Sequence, residues 1–377
     1  MKKAIIKVLT ISLLLTGGTM VSATNYNKET DSKSYYMPLE DSEHEGTWLQ
    51  WPHAYTYGEK YKKDIQDIWV KMTKSLTKGE KVHIVAYNNT EKEKIKSLLV
   101  AEDVHMNNVD FYIYKTDDVW IRDNGPVFVY DESGKQVILD WGFNGWGKKT
   151  PYKKCDDIPE KIGNELGVER INLENVVLEG GAMELDGNGT FLATKSSIIN
   201  KNRNPGLSQS EIENYIKKYY GANNFIWLDG VVGIDITDFH IDGFAKFYDE
   251  CTLITLNKND LREWGVSRKD TNTLLNAKDS EGHAYDKVYI PITKNNVKLK
   301  NGKNLGYPGS YMNFYIGNEV VLVPNYNDPN DKVANEIIQG LYPDREVVGI
   351  DIRELYKDGG MIHCVTQQQP IANKSNN

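Results

Sequence analysis

Four short polar motifs recur along this chain at nearly one interval, and that recurrence limits the fold more than any other feature. They centre on Asp123, Glu179, His240 and Cys364. The gaps are 56, 61 and 124 residues, the last being twice 62. One chemically capable residue per equal segment points to repeated modules that each deliver a side chain to a common place. Modules of about 60 residues would fill the chain five times after its N-terminal leader. The pattern predicts an α/β class protein built as a pseudo-fivefold ring with a central cleft.

Local patterning agrees with that class. Ile65, Ile68, Trp69, Met72 and Leu76 recur at helical spacing over residues 60–78, and Gly79 ends the run. Val82–Ala86 reads as a buried strand, Lys92–Val100 as a helix and Val109–Tyr114 as a strand. Ser208 to Glu211 is a capping box that opens a helix to about Tyr220, and Phe225–Leu228 follows as a strand. Asp331–Leu341 reads as a helix and Glu346–Ile350 as a strand. The turn Asp186-Gly187-Asn188-Gly189 predicts a hairpin between Ala182–Leu185 and Thr190–Thr194. Hairpins mixed with strand–helix alternation argue for α/β, and no low-complexity linker divides residues 37–377.

The N-terminus predicts export. Lys2, Lys3 and Lys7 precede the apolar run Val8–Leu15, and Val21-Ser22-Ala23 offers a small-residue cleavage site. Residues 1–23 read as a signal peptide and 24–36 as a polar, disordered leader, so the expected location is secreted (periplasmic behind an outer membrane). No other segment is apolar enough to span a bilayer. The whole chain carries −8, and removing three lysines leaves −11. That balance disfavours nucleic acid and anionic membranes and draws cations inward. Three cysteines do not make a disulfide framework. Cys364 follows Gly359-Gly360, where a backbone free of side chains can turn sharply and approach a ligand, so it is the candidate nucleophile.

Each motif has an ordinary reading beside the chemical one. Asp123, before Gly125-Pro126, reads as a strand-end or loop carboxylate, or as a turn residue paired with Arg122. Glu179 reads as ending an apolar strand before Gly180-Gly181, facing a cleft or solvated at a bulge. His240 and Asp242 would share one face of a strand, as a proton carrier and a cation holder or as a satisfied surface pair. Together they are more specific. A Cys/His pair supports covalent catalysis. Three accompanying acids are too much negative charge for an ordinary peptide carbonyl. Buried carboxylates need cationic partners, and a planar guanidinium fits two carboxylates through its fork of donors. The set therefore reads as a site where a thiolate attacks a guanidinium carbon. The scattered single residues lack the close pairing of metal ligands, so neither metal nor cofactor is expected.

These residues resemble the agmatine deiminase and bacterial-type peptidylarginine deiminase family of the guanidino-modifying (pentein) superfamily. The resemblance runs from Met37-Pro38-Leu39-Glu40 and His44 to Pro52, through Trp120-Ile121-Arg122-Asp123, Asp140 to Gly147 and Glu179-Gly180-Gly181. It continues through Asn202 to Pro205 and His240-Ile241-Asp242 to Gly359–Pro370. It implies a five-bladed α/β propeller that hydrolyses a guanidinium to a ureido group and ammonia. It also implies Cys364 as nucleophile, His240 as general acid/base, Asp123 and Asp242 as the guanidinium-holding pair, and Glu179 as the residue orienting His240. Trp120, Arg122, Trp146, Trp48 and Gly360 join Asp123 and Asp242 as expected substrate-binding residues, with core packing the alternative for the tryptophans. The chain departs from the family's Glu-Thr-x-Gly pattern before the histidine, having Ile236-Thr237-Asp238-Phe239 instead. The acid that would hold a distant amine is thus Ile236. Asp235 or Asp238 is the candidate replacement for an amine, and Lys148, Lys149, Lys153 and Lys154 for a carboxylate. The expected partner is a cationic guanidino small molecule or an arginine-containing peptide, with homo-oligomerisation open. The rival readings are an amidinotransferase of the same fold, a non-catalytic arginine or polyamine binder, and a Cys/His peptidase.

Overall fold

Five times among the described residues an antiparallel strand pair is joined through a helical crossover to a strand parallel to one member of the pair. The computed structural model describes residues 34–372. The predicted signal peptide and the leader as far as residue 33 lie outside the described residues. The first described strand, Tyr35–Tyr36, lies inside the predicted leader; it pairs with Tyr130–Asp131, and Tyr35 stacks on Tyr219.

The first unit pairs Val127–Asp131 with Gln136–Gly142 and returns through the helix Ile158–Leu166 to Glu169–Val177. The second is the predicted hairpin, with strands Met183–Leu185 and Thr190–Thr194. It crosses through Gln209–Tyr220, which begins with the predicted capping box at Ser208, to Asn224–Leu228. The third joins Ala245–Phe247, Thr252–Thr255 and, after two helices, Asp286–Tyr289. The fourth joins Tyr315–Ile316, Val320–Asn325 and, after the helix Asn330–Leu341, Glu346–Asp351. The fifth is assembled from both ends of the chain. Gln367–Pro370 lies antiparallel to His44–Gln50, which runs parallel to Lys81–Ala86 after the helix Ala54–Leu76. Val109–Ile113 extends that sheet.

Right-handed strand twist and a helical return put the helices over one side of each sheet. Ile65, Trp69, Met72 and Leu76 of the first helix are buried, as their spacing predicts. The five sheets are separate, and none closes into a barrel among the described residues. No described helix is long and apolar enough to cross a membrane. For the site, what matters lies before each opening strand. Asp123 precedes Val127, Gly181 precedes Met183, Asp242 precedes Ala245, Asn313 precedes Tyr315 and Cys364 precedes Gln367. Each unit thus enters its sheet from a turn at the site, carrying a polar side chain in four of them and a glycine in the second.

Candidate active site

Tight turns, rather than strands, present the chemistry. Asp123 sits in the single-turn helix Ile121–Asn124, and Glu179 immediately precedes the 3-10 turn Gly180–Ala182. His240 and Asp242 were expected on one strand face. They instead flank the start of a 3-10 turn, Ile241–Gly243, because the strand begins only at Ala245. Cys364 is the middle residue of a fourth such turn, His363–Val365. All five side chains are buried.

Gly181 is where they converge. A methyl group built on its Cα would lie 2.7 Å from His240 Nδ1 and 2.9 Å from both Asp123 Oδ1 and Asp242 Oδ2. A glycine is required there because the three polar atoms occupy the place of a side chain. Its backbone N–H donates to Asp123 Oδ1 at 2.9 Å, and Trp146 Nε1–H donates to Asp123 Oδ2 at 2.9 Å. His240 Nε2 lies 3.0 Å from Glu179 Oε2, which orients the ring. Nδ1 is left buried without a hydrogen-bond partner, 3.8 Å from Asp123 Oδ2. The Cys364 thiol approaches Asn313 Oδ1 at 3.4 Å and Asp242 Oδ2 at 3.9 Å.

The charges of this site follow from its burial. Desolvation opposes the imidazolium, but Asp123, Glu179 and Asp242 outweigh it and raise His240 to about 9. Burial, reinforced by Asp242 and Asp123, pushes the Cys364 thiol well above its usual range. Burial also raises Asp123, while Asp242 is pulled down against its own desolvation by His363 and His240. The site therefore holds a neutral thiol, an imidazolium and excess acid, a balance that one more cation would complete.

Behind the site runs a second layer that the sequence reading did not assign. Arg203 Nε donates to Glu179 Oε1 at 2.6 Å and its Nη1 to Asp238 Oδ2 at 2.8 Å, fastening Glu179 to the segment before His240. Asp242 Oδ2 lies 2.9 Å from His363 Nδ1, and His363 Nε2 lies 2.7 Å from Glu40 Oε2. Lys246 Nζ bridges Glu40 at 3.1 Å and Glu184 at 3.4 Å. Asn313 accepts the backbone N–H groups of His363 and Cys364, at 2.9 and 3.3 Å, and so shapes the turn that carries Cys364. The missing contributor midway in the doubled interval between His240 and Cys364 is the one signal that could have found Asn313.

A cleft opens from Cys364 in two arms. One, of about 450 Å³, is lined by Asp123, Trp120, Trp146, Tyr57, Tyr61, Asp118 and Asp358. The other, of about 630 Å³, is lined by His240, Asp242, Trp264, Tyr307 and Tyr356. Ile236, Thr237, Lys357, Asp358 and Gly359 border both. Trp120 and Trp146 thus face the cleft, as expected. Gly360 acts at one remove: a Cβ there would lie 2.3 Å from the Trp120 ring, so the glycine lets that ring close over the nucleophile's loop.

Other expectations are corrected. Trp48 packs in a core with Ile121, Phe128 and Ile138 and donates to Gln369, away from either arm. Arg122 pairs neither with Asp123 nor with the cleft; it donates to Gln368 Oε1 at 2.7 Å and to the His363 carbonyl at 3.3 Å. Asp238 is already occupied by Arg203, Lys149 and Asn202, so it has no acceptor to spare for an amine. Asp235 Oδ1 accepts from Thr237 and Phe239. Lys149 and Lys154 are committed to Asp238 and Asp117. All three cysteines are free, Cys155 buried and Cys251 exposed.

Comparison with known proteins adds to this geometry. Residues 36–370 match the family described as Porphyromonas-type peptidyl-arginine deiminase. An agmatine deiminase of Pseudomonas aeruginosa is 32% identical over 362 residues, which is 90% of this chain and 97% of that protein. The solved agmatine deiminase of Enterococcus faecalis superposes with a TM-score of 0.80 at 28% identity, covering 89% of this chain and 96% of that one. That of C. jejuni gives 0.76 at 26%, covering 90% and 97%.

Proposed function

This chain belongs to the Porphyromonas-type peptidyl-arginine deiminase family and is a hydrolase of amidine C–N bonds, and we propose that it deiminates agmatine through a covalent Cys364 thiouronium. The convergence of Asp123, Asp242 and His240 on Gly181, with the Cys364 thiol beside Asp242, carries this reading. The guanidinium docks with its N–H groups on Asp123 and Asp242. Its positive charge favours the thiolate, and the thiol proton is released. Sγ then bonds to the central carbon, and the C–N π electrons move onto nitrogen. His240 donates its proton to one nitrogen, which leaves as ammonia while the thiouronium forms. Neutral His240 next takes a proton from water, and the hydroxide adds to the same carbon. The C–S bond breaks as the added hydroxyl loses its proton to solvent, giving the neutral ureido product and the thiolate. Glu179, fastened by Arg203, keeps the imidazole ring in place through both proton transfers.

The same proposal reads the five strand–helix units as the blades of a pseudo-fivefold propeller whose entry turns meet at its centre. It also includes export, on the strength of Lys2 to Ala23. Peptidyl arginine is the second reading, favoured by the second aromatic arm, which gives a longer chain somewhere to lie. A ureido colour assay over agmatine, free arginine and peptides with internal or C-terminal arginine tests these readings. Ureido product from agmatine is expected, and Cys364→Ala should abolish product from every substrate. Residual turnover in that variant would sink the mechanism. A new amidinated product without free ammonia, when a second amine is supplied, would indicate transfer instead.

A further inference from the structure

The first arm of the cleft is lined by two carboxylates without an ion-pair partner, the buried Asp118 and the half-buried Asp358, which also borders the second arm. Asp118 is buried, and its Oδ1 accepts the Tyr61 hydroxyl at 2.7 Å. Asp358 stands two residues before Gly360, and its Oδ2 is buried without a hydrogen-bond partner. Burial raises both groups to about 6; at Asp358 the neighbouring Lys357 opposes that rise and the charge of Asp118 adds to it. Both side chains line the same arm. The neighbouring lysines are already engaged. Lys60 bonds Asp64 at 2.7 Å, and Lys357 bonds Asp64 at 2.6 Å and Glu354 at 3.0 Å. Neither Asp118 nor Asp358 has an ion-pair partner within 4 Å among the described residues.

A desolvated carboxylate without a cation is costly, and such a pair in a cleft is completed by a ligand that brings the charge. The other acids near Cys364 do not compete for that role. Asp235 is taken up by its own turn, and Glu263, in the second arm, is exposed to water. Ile236, where the family pattern has an acid, leaves the wall between the arms apolar.

Building on the deiminase reading, we propose that Asp358, with Asp118, is the specificity-determining cation subsite, so that the preferred substrate is a guanidine whose far end is a free ammonium. The aliphatic spacer lies between Trp120 and Tyr61, and the guanidinium reaches Asp123 and Cys364. A carboxylate at the far end, as in free arginine, meets two acids there and is disfavoured.

The test uses agmatine and butylguanidine, which differ in the distant ammonium. Both are titrated calorimetrically into Cys364→Ala protein, with and without Asp358→Asn. Asp358→Asn should weaken agmatine at least about tenfold relative to butylguanidine, and Asp358→Glu should restore much of the preference. An agmatine-to-butylguanidine affinity ratio that is unchanged by Asp358→Asn, or that is close to one in the Cys364→Ala parent, overturns the subsite. Turnover by the unsubstituted enzyme is scored separately. Absence of ureido product from every guanidine would overturn the deiminase reading, while the affinity ratio would still decide the cation subsite.

Discussion

At the scale of single residues, His240 and Cys364 begin with the wrong protons for attack. The thiol is neutral because it is buried beside Asp242 and Asp123, and the imidazole is charged because three acids surround it. A bound guanidinium offsets those acids and favours thiolate while leaving the imidazolium to act as acid. On the proposed mechanism, the cationic substrate thus activates the thiol that attacks it. In Cys364→Ala protein, His240 should titrate near 9 by NMR, and Asp123→Asn should move it downward. A value unmoved by that substitution would show that Asp123 is not a major source of the charge. The same shift links to stability. His240 has a folded pKa above its unfolded value, so its contribution is complete below about 6.5 and is lost as pH rises through about 9. Urea unfolding should show a loss on the order of 1–3 kcal/mol across that window, reduced in His240→Asn.

At the scale of elements, the entry turns carry the design. Each is short enough to bury a polar side chain and rigid enough to aim it. The turn before His240 is the most constrained. Asp238 and Phe239 both have φ in the left-handed region, at +62° and +79°, where non-glycine residues are strained. Arg203, Lys149 and Asn202 hold Asp238, and Phe239 stacks on Phe244 with centroids 5.0 Å apart. The family's glycine at position 239 suits that φ without strain; here packing on Phe244 holds it. The turn after Glu179 depends instead on space. Gly181→Ala would press a methyl group into His240, Asp123 and Asp242. It should lower kcat/KM by at least about 100-fold, since a misplacement of about 1 Å costs that much, while the circular dichroism spectrum stays that of the parent. Parent-like activity would show that the three groups need not converge there.

At the scale of the whole molecule, the fifth unit joins the two ends of the chain. Gln367–Pro370 pairs with His44–Gln50, Gln369 accepts from Trp48, and the Pro370 carbonyl accepts from Gln136. The closing strand also begins two residues beyond the turn that carries Cys364, so fold and proposed catalysis share one segment. Ending the chain at Thr366 should lower the thermal midpoint by at least about 5 °C and abolish ureido production, measured by calorimetry and colour assay. An unchanged midpoint would show that the other sheets hold the fold without it.

The interval between polar motifs, the hydrophobic spacing of the first helix and the capping box at Ser208 are local properties of the chain. They determined the α/β class, the modular repeat and the identity of Asp123, Glu179, His240, Asp242 and Cys364 as a set. Backbone form at the site was not legible in the same way. Period-two spacing places His240 and Asp242 on one strand face, yet a tight turn serves because strand pairing starts only at Ala245. Nor could spacing separate Trp48 from Trp120 and Trp146, since all three are buried aromatics and only the direction of each ring decides what it touches. Arg203, Asn313, His363 and Glu40 became visible only in three dimensions. Their partners lie tens to hundreds of residues away, and desolvation, the force that gives these contacts their strength, exists only once distant segments have packed together.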